Sequence, residues 1–402
     1  MLLLASALNY LDRQTLSILA PTMQNELNVS EQDYAFVINL FLIAYTAATL
    51  LSGLVVDYLG ARLSLAIFVG WWSIANILTG FARSFVTLCI YRFLLGIGEA
   101  GNWTAAPKAV SEWFPAKERS LAIGVYTMGA TIGATIAPLL VVNIASIQGW
   151  RMAFVATGTI GLLWLATWLW LYRRPRVHPR LSDIEREYIQ GGNPDSAPAA
   201  SGRNTREGWL TILSRRDVWL LMLARLLTDP VWYFYQFWFA KYLFSERGVS
   251  QTGLSITFLI FLAADLGAFG GGWFSGRLTK AHRSPVQSWR LVMTAAACLM
   301  PLSVVVPRID ILPILLSIGM VIAFGHMMWL VNLTSLVVDV IPQRSLATTF
   351  GVIAVGSALG AIVMNWAVGL LITHHSYGPA FVAMAGLHPL ALPLIWRLRG
   401  MT

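Results

Sequence analysis

The sequence predicts an all-α membrane protein, with twelve transmembrane helices in two pseudo-symmetric six-helix bundles. Three observations carry that expectation. The 402 residues are 57% hydrophobic and only 12% charged, against roughly 25% charged in soluble domains. Apolar runs of about 20 residues recur along the whole chain, each long enough to cross a hydrocarbon core of about 30 Å. Finally, Pro115, Gly124, Gly129 and Gly133 recur as Pro342, Gly351, Gly356 and Gly360, each displaced by 227 positions. Such a repeat marks two six-helix halves of the kind that rock against each other about a central site.

The first half, 1–173, holds spans at 1–21, 34–59, 62–82, 84–107, 119–144 and 151–172. Span one starts at Met1 and runs on through Asp12-Arg13 with no small-residue cleavage site. It is therefore not expected to be a removed signal peptide, and the natural start is expected several residues upstream. Residues 174–216 form a polar linker containing Pro175, Pro179, Pro194 and Pro198. Within it, Leu181-Ser-Asp-Ile-Glu-Arg-Glu-Tyr predicts a short amphipathic helix at the membrane face. The following GGNPDSAPAASG reads as flexible chain. The second half, 217–402, holds spans at 217–243, 253–278, 286–306, 311–338, 345–372 and 378–397.

A formal charge of +9 raises the question of nucleic acid, but its distribution excludes that reading. Lys and Arg crowd alternate loops: Arg62; Lys117 and Arg119; Arg173 through Arg216; Arg277 through Arg290; Arg344; Arg397 and Arg399. This asymmetry is the positive-inside pattern, and it places the long linker and the C-terminus in the cytoplasm of a plasma (bacterial inner) membrane protein. Cys89 and Cys298 lie in apolar context in opposite halves. They are expected to be buried small hydrophobes, with no metal-ligand spacing.

Charges stand where hydrocarbon should be. Asp12 and Arg13 lie in span one, Arg92 and Glu99 in span four, Asp229 in span seven and Asp265 in span eight. A charge at bilayer depth costs roughly 3 kcal/mol or more, so it faces protein or a watery path. The set predicts a central ionisable cavity and a carrier for a charged solute coupled to protons. Tyr10 and Arg13 share a helix face, while Asp12 points about 100° away, where Arg92 is its natural partner. Arg13 suits a two-point grip on a carboxylate, with Tyr10 adding a hydroxyl. Arg92 and Glu99, seven apart, lie about 10 Å from each other along one face. Glu99 is thus expected to lack an adjacent cation and to serve as the proton carrier. A purely structural ion network is the competing reading.

In span seven, Arg225 and Asp229 can pair within the helix. Trp232 and Gln236 follow on the same stripe and suit a sugar, one stacking on its ring face and the other bonding hydroxyls. Trp329 and Asn332 in span ten repeat that chemistry, and Asn365 in span eleven and Tyr45 in span two are expected to join. For each aromatic, lipid-interface anchoring is the plain alternative, since the chain holds 17 Trp. His326 reads as a packing residue and Asp265 as structural.

Gly53-Leu-Val-Val-Asp57-Tyr-Leu-Gly60-Ala-Arg62 resembles the loop between helices two and three of the major facilitator superfamily, with a weaker echo at Gly272-Trp-Phe-Ser-Gly276-Arg277. Asn9-Tyr10-Leu-Asp12-Arg13, Arg92-Phe-Leu-Leu-Gly-Ile-Gly-Glu99-Ala and Ser111-Glu-Trp-Phe-Pro-Ala-Lys-Glu-Arg119-Ser resemble its anion:cation symporters. The last of these and Ala263-Ala-Asp265-Leu-Gly are most similar to bacterial hexuronate transporters. The resemblance implies a major facilitator fold and proton-coupled uptake of a monoanionic sugar acid such as glucuronate or galacturonate. It also implies protonation at Asp12 and Glu99 and carboxylate binding at Arg13. Asp57, Arg62 and Arg119, with Arg277 and Arg344 in the second half, sit at cytoplasmic helix ends and are expected to gate through salt bridges. Lys117 and Glu118 are as readily solvated loop charge.

No phosphate loop, metal-ligand cluster or sizeable soluble domain argues for an enzyme or a cofactor. The expected partners are a small organic anion, protons and the bilayer, with the chain acting as a monomer. The alternatives are another carboxylate as substrate, sodium in place of protons, or a channel or nutrient sensor on the same scaffold. A channel has no use for Asp12 and Glu99 as coupling groups.

Overall fold

The structure is a computed structural model that describes residues 1–114, 119–175, 178–179, 181–191, 212–281, 284–340, 346–374 and 376–398. Helices dominate, and no strand occurs among the described residues. The first half contains α1 (Leu2–Leu27), α2 (Glu31–Gly80), α3 (Phe85–Glu99), α4 (Asn102–Trp113), α5 (Arg119–Gln148) and α6 (Trp150–Leu171), followed by the short α7 (Asp183–Gly191). The second contains α8 (Arg216–Phe237), α9 (Phe239–Arg247), α10 (Phe258–Lys280), α11 (Pro285–Leu299), α12 (Leu312–Val340), α13 (Leu346–His374) and α14 (Gly378–Trp396). Tight 3₁₀ turns, Thr252–Thr257 and Met300–Arg308, lead into α10 and continue α11.

Helix count and span count reconcile at the breaks. α2 is two spans joined at Gly60, whose φ of 77° and ψ of 169° only glycine adopts easily. α3 with α4, and α8 with α9, are each one interrupted span. Eight helical stretches among the described residues are long and apolar enough to cross a membrane by themselves. The remaining four spans are α1, the first part of α2, α3–α4 and α8–α9. Large apolar side chains face outward, among them Leu163, Trp170, Phe269, Val363 and Trp366. Water would penalise such a surface, whereas lipid accepts it.

Contacts divide the chain into two compact units: Met1–Leu19 with Leu40–Arg203, and Ala20–Asn39 with Asn204–Thr402. The expected boundaries at 173 and 217 thus acquire an exception, because the hairpin Ala20–Asn39 clusters with the second half. In the first unit, a β-carbon on Gly129 or Gly133 of α5 would lie 2.1 Å from the carbonyl oxygens of Leu3 and Ala7 on α1. In the second, one on Gly356 or Gly360 of α13 would lie 2.3 Å from those of Met222 and Leu226 on α8. The duplicated glycines therefore do one job twice, bringing two backbones into contact where small residues replace the hydrophobic driving force lost in lipid. The second unit's core gathers Leu221 and Ala224 on α8, Met293 and Ala297 on α11, Trp329 and Leu333 on α12, and Ile395 on α14.

The predicted amphipathic helix is α7. Ser182 caps it, its backbone N–H and hydroxyl donating to the Glu185 carboxylate at 3.0 and 2.9 Å. Those bonds hold the Glu185 carboxyl below its ordinary range. The rest of the linker lies largely outside the described residues. Cys89 is buried, but Cys298 is exposed on α11, which corrects the expectation of two buried thiols.

Candidate functional site

The chemistry of the first unit centres on Arg13. Its Nε and an Nη donate to one Glu99 oxygen, Oε2, at 3.0 and 2.7 Å, and both side chains are buried. The expectation that Glu99 lacks an adjacent cation is therefore wrong. Spacing along span four relates Glu99 only to Arg92, whereas the cation arrives from α1, 86 positions away in sequence. Glu99 also ends α3, just before the Ala100–Gly101 interruption. A β-carbon on Gly101 would strike the Phe68 ring at 2.0 Å, so glycine is needed for this turn to approach α2.

Tyr10 and Tyr45 lie against the Arg13 guanidinium, each ring centroid 4.9 Å from Cζ, and Phe41 adds a third face at 5.2 Å. Tyr10 and Tyr45 were expected near the substrate. Phe41 was not, because an aromatic in span two reads equally well as lipid-facing. The cage leaves the Arg13 edge to the carboxylate while its planar face is covered, an arrangement that suits guanidinium and not ammonium.

Asp12 points to another neighbourhood, as its 100° offset requires. Asn76 of α2 donates to Asp12 Oδ1 at 2.7 Å and also approaches the Thr157 hydroxyl of α6 at 2.7 Å. Arg92 acts electrostatically on both Asp12 and Glu99, and its guanidinium lies over Phe154 at 5.1 Å. The expected Asp12–Arg92 relation thus takes the form of a charge nearby, while Asn76 donates a direct hydrogen bond to Asp12. A lone Asn in an apolar helix carries too many meanings to have been singled out. Asn102 donates to Ser6 at 3.2 Å and ties α4 to α1.

In the second unit, Arg225 Nε donates to Asp229 Oδ2 at 2.6 Å, the pairing expected from their spacing. Trp232 stacks parallel to His326 with centroids 5.9 Å apart, and His326 Nδ1 lies 3.2 Å from His388 Nε2. His388 had no signal in the sequence. Asn332 spends its amide donors on the Gly271 and Met328 carbonyls at 3.2 and 2.8 Å, so it ties α12 to α10 and offers no N–H to a sugar. Asn365 accepts from the Trp238 indole N–H at 2.8 Å. Gln236 and Trp329 are buried, and Gln236 Nε2 and Trp329 Nε1 have no hydrogen-bond partner among the described residues.

Of the expected gating residues, Arg62 donates to the Leu169 carbonyl at 2.6 Å, and Arg277 lies over Trp273 at 4.9 Å. The side chains of Asp57 and Arg119, and all of Arg344, lie outside the described residues. An apolar cavity of about 650 Å³ near Leu2, Val110, Trp113, Tyr126 and Trp168 touches none of the expected site residues. No cluster of potential metal ligands occurs among the described residues.

Comparison with known proteins agrees with this architecture. The chain is 32% identical to a hexuronate transporter of Escherichia coli K12 over 98% of its own length and 91% of that protein's. It is 35% identical to a galacturonate transporter of Dickeya chrysanthemi over 74% of this chain and 86% of the other. Among solved structures, a D-xylose–proton symporter superposes with a TM-score of 0.74 at 14% identity, covering 99% of this chain and 96% of that one. A bacterial homologue of the human lysosomal transporter Spinster superposes at 0.73 with 21% identity, covering 99% and 93%. The sequence match to the superfamily runs through residues 2–364. With its repeated halves, lipid-facing surface and buried charges, this chain belongs to the Major Facilitator Superfamily, as a multi-pass membrane transporter of small molecules and not an enzyme.

Proposed function

We propose that the protein is a proton-coupled symporter that imports a monoanionic sugar acid, a hexuronate such as glucuronate or galacturonate, by alternating access. The observation that carries this reading is the buried Arg13–Glu99 pair inside its aromatic cage. A guanidinium held by a carboxylate has two ways to stay neutralised. It keeps Glu99, or it takes the carboxylate of a substrate once Glu99 has accepted a proton. Proton and anion therefore bind together or not at all, which is the requirement of symport. Breaking such a pair with no replacement leaves a buried charge at a cost of about 3–5 kcal/mol. Release of the proton restores the ion pair and expels the anion.

The hexuronate and galacturonate relatives support the substrate class. Tyr10, Tyr45, Gln236, Trp232, Trp329 and Asn365 provide aromatic faces and polar groups suited to a polyol. Asn332, whose amide donors are spent on the Gly271 and Met328 carbonyls, serves in this reading as a buttress between α12 and α10. Asp12, bonded to Asn76 and near Arg92, is the second proton-coupling candidate. The positive-inside pattern supports a plasma-membrane orientation with linker and C-terminus cytoplasmic. The gating role of Asp57, Arg62, Arg119, Arg277 and Arg344 rests on their place at helix ends.

Glu99→Gln tests the coupling. The amide keeps the volume of the protonated acid and removes titration. This variant is expected to lose concentrative uptake of labelled uronate into energised vesicles while still exchanging labelled for unlabelled substrate. Concentrative uptake at the parent rate would place the proton elsewhere, with Asp12 and Asp229 next in line.

A further inference from the structure

Trp238 stands at the interruption between α8 and α9, with φ −119° and ψ −23°. Its indole nitrogen bonds the side chain of Asn365 on α13 at 2.8 Å, and both residues are fully buried. An indole N–H only donates, so the atom it meets must be the amide oxygen. That fixes the amide orientation: Nδ2, with two donors, points the other way, and it has no hydrogen-bond partner among the described residues. A buried donor left unmade is costly, which marks it as a place where a ligand acceptor belongs.

The indole ring is itself held. Tyr34 meets it edge-on, centroids 5.1 Å apart at 82°, and donates its hydroxyl to the Phe237 carbonyl at 2.8 Å, beside the helix interruption. The Lys241 ammonium lies 5.2 Å from the Tyr34 ring and 5.6 Å from the Trp238 ring. Lys241 is 4% exposed and forms an ion pair with Glu31 at the start of α2. A nearly buried ammonium paired on one side and facing two aromatic rings on the other has little freedom to move, and neither has the indole beneath it.

We propose that Trp238 is a positioning residue for Asn365, turning the Asn365 amide donors toward the substrate's oxygen atoms, and that the Glu31–Lys241 pair and Tyr34 clamp Trp238 in that orientation. The inference rests on the reading of Asn365 as a substrate contact. It assigns recognition of one substrate hydroxyl or carboxylate oxygen to a chain of contacts that starts at the α1–α2 hairpin.

The test uses the full chain, purified, with binding of glucuronate and galacturonate followed by calorimetry. Trp238→Phe keeps an aromatic ring at this position but removes the indole N–H together with the five-membered ring, and it is expected to weaken binding about fivefold or more. Asn365→Ala should weaken binding by a similar factor, and the double variant should be no worse than Asn365→Ala alone. Lys241→Gln should weaken binding in the parent and leave an Asn365→Ala background unchanged. A second readout needs no ligand: the Trp238 indole N–H resonance, identified by its disappearance in Trp238→Phe, should shift in both Asn365→Ala and Lys241→Gln. Parent-like binding by Trp238→Phe, or losses that simply add, would overturn the positioning role in a protein that binds uronate. A parent that binds neither uronate, with the indole resonance still responding, would instead overturn the substrate reading and leave the clamp as architecture only.

Discussion

Arg13 concentrates the recognition argument in one side chain. Its guanidinium is buried, paired edge-on with Glu99 and covered by Tyr10, Phe41 and Tyr45. A lysine at this position keeps the charge but loses the planar face and the two-point edge. Arg13→Lys is therefore expected to reduce labelled uronate uptake about tenfold or more, as tenfold corresponds to only about 1.4 kcal/mol. Uptake at the parent rate in expressing cells would exclude the carboxylate grip. What could be read in the sequence at this scale was the identity of the charged residues, because a charge inside an apolar run is a strong signal. Which charges meet was not legible. Spacing along one helix related Arg92 to Glu99, whereas the pair formed comes from α1 and α3. Asn76, the direct partner of Asp12, and His388, the partner of His326, stayed hidden because neutral polar residues in a helix carry no comparable penalty.

Helix packing follows the duplication with unequal weight at each repeated position. Gly129 and Gly133 on α5, and Gly356 and Gly360 on α13, sit against the backbone of a neighbouring helix, while a β-carbon on Gly124 or Gly351 would meet nothing within 4 Å among the described residues. Pro115 and Pro342 fall outside the described residues. The fixed offset was visible in the sequence, but only the packing separates the glycines that are required from those that are not. Adding side chains distinguishes them directly. Gly360→Val forces atoms into the Leu226 carbonyl and should destabilise the second half by about 1–3 kcal/mol, read as a lower thermal midpoint in detergent. Gly351→Ala, with nothing within 4 Å among the described residues, should leave that midpoint unchanged. Equal effects from the two variants would mean that close approach does not limit this pair of helices.

At the scale of the whole chain, the alternation of basic loops was the clearest topological signal, and the repeat of six spans the clearest architectural one. Helix interruptions were less legible. The breaks at Ala100–Gly101 and at Trp238 lie inside runs that read as continuous apolar spans, and both fall beside residues of the proposed site. The orientation has its own check. A cysteine at Ser196 should resist an impermeant thiol reagent on intact cells and react once the cytoplasmic face is opened. Labelling on intact cells would reverse the topology.

The spans that fail to qualify as membrane-crossing by length and composition include α1, α3–α4 and α8–α9, and these carry Asp12, Arg13, Arg92, Glu99, Arg225 and Asp229. During synthesis each span meets the lipid before its partners exist, and a charge near a helix centre costs about 2.5–3.5 kcal/mol to insert. α1 carries two such charges, whose counterparts, Asn76 and Glu99, emerge only with α2 and α3. Biogenesis should thus make the first helix wait. Fused alone to an insertion reporter, residues 1–27 should enter the bilayer poorly, and Asp12→Leu with Arg13→Leu should restore entry, at the expense of the finished carrier. The groups that would let this protein move an anion are the same groups that keep its first helix from settling until its neighbours arrive.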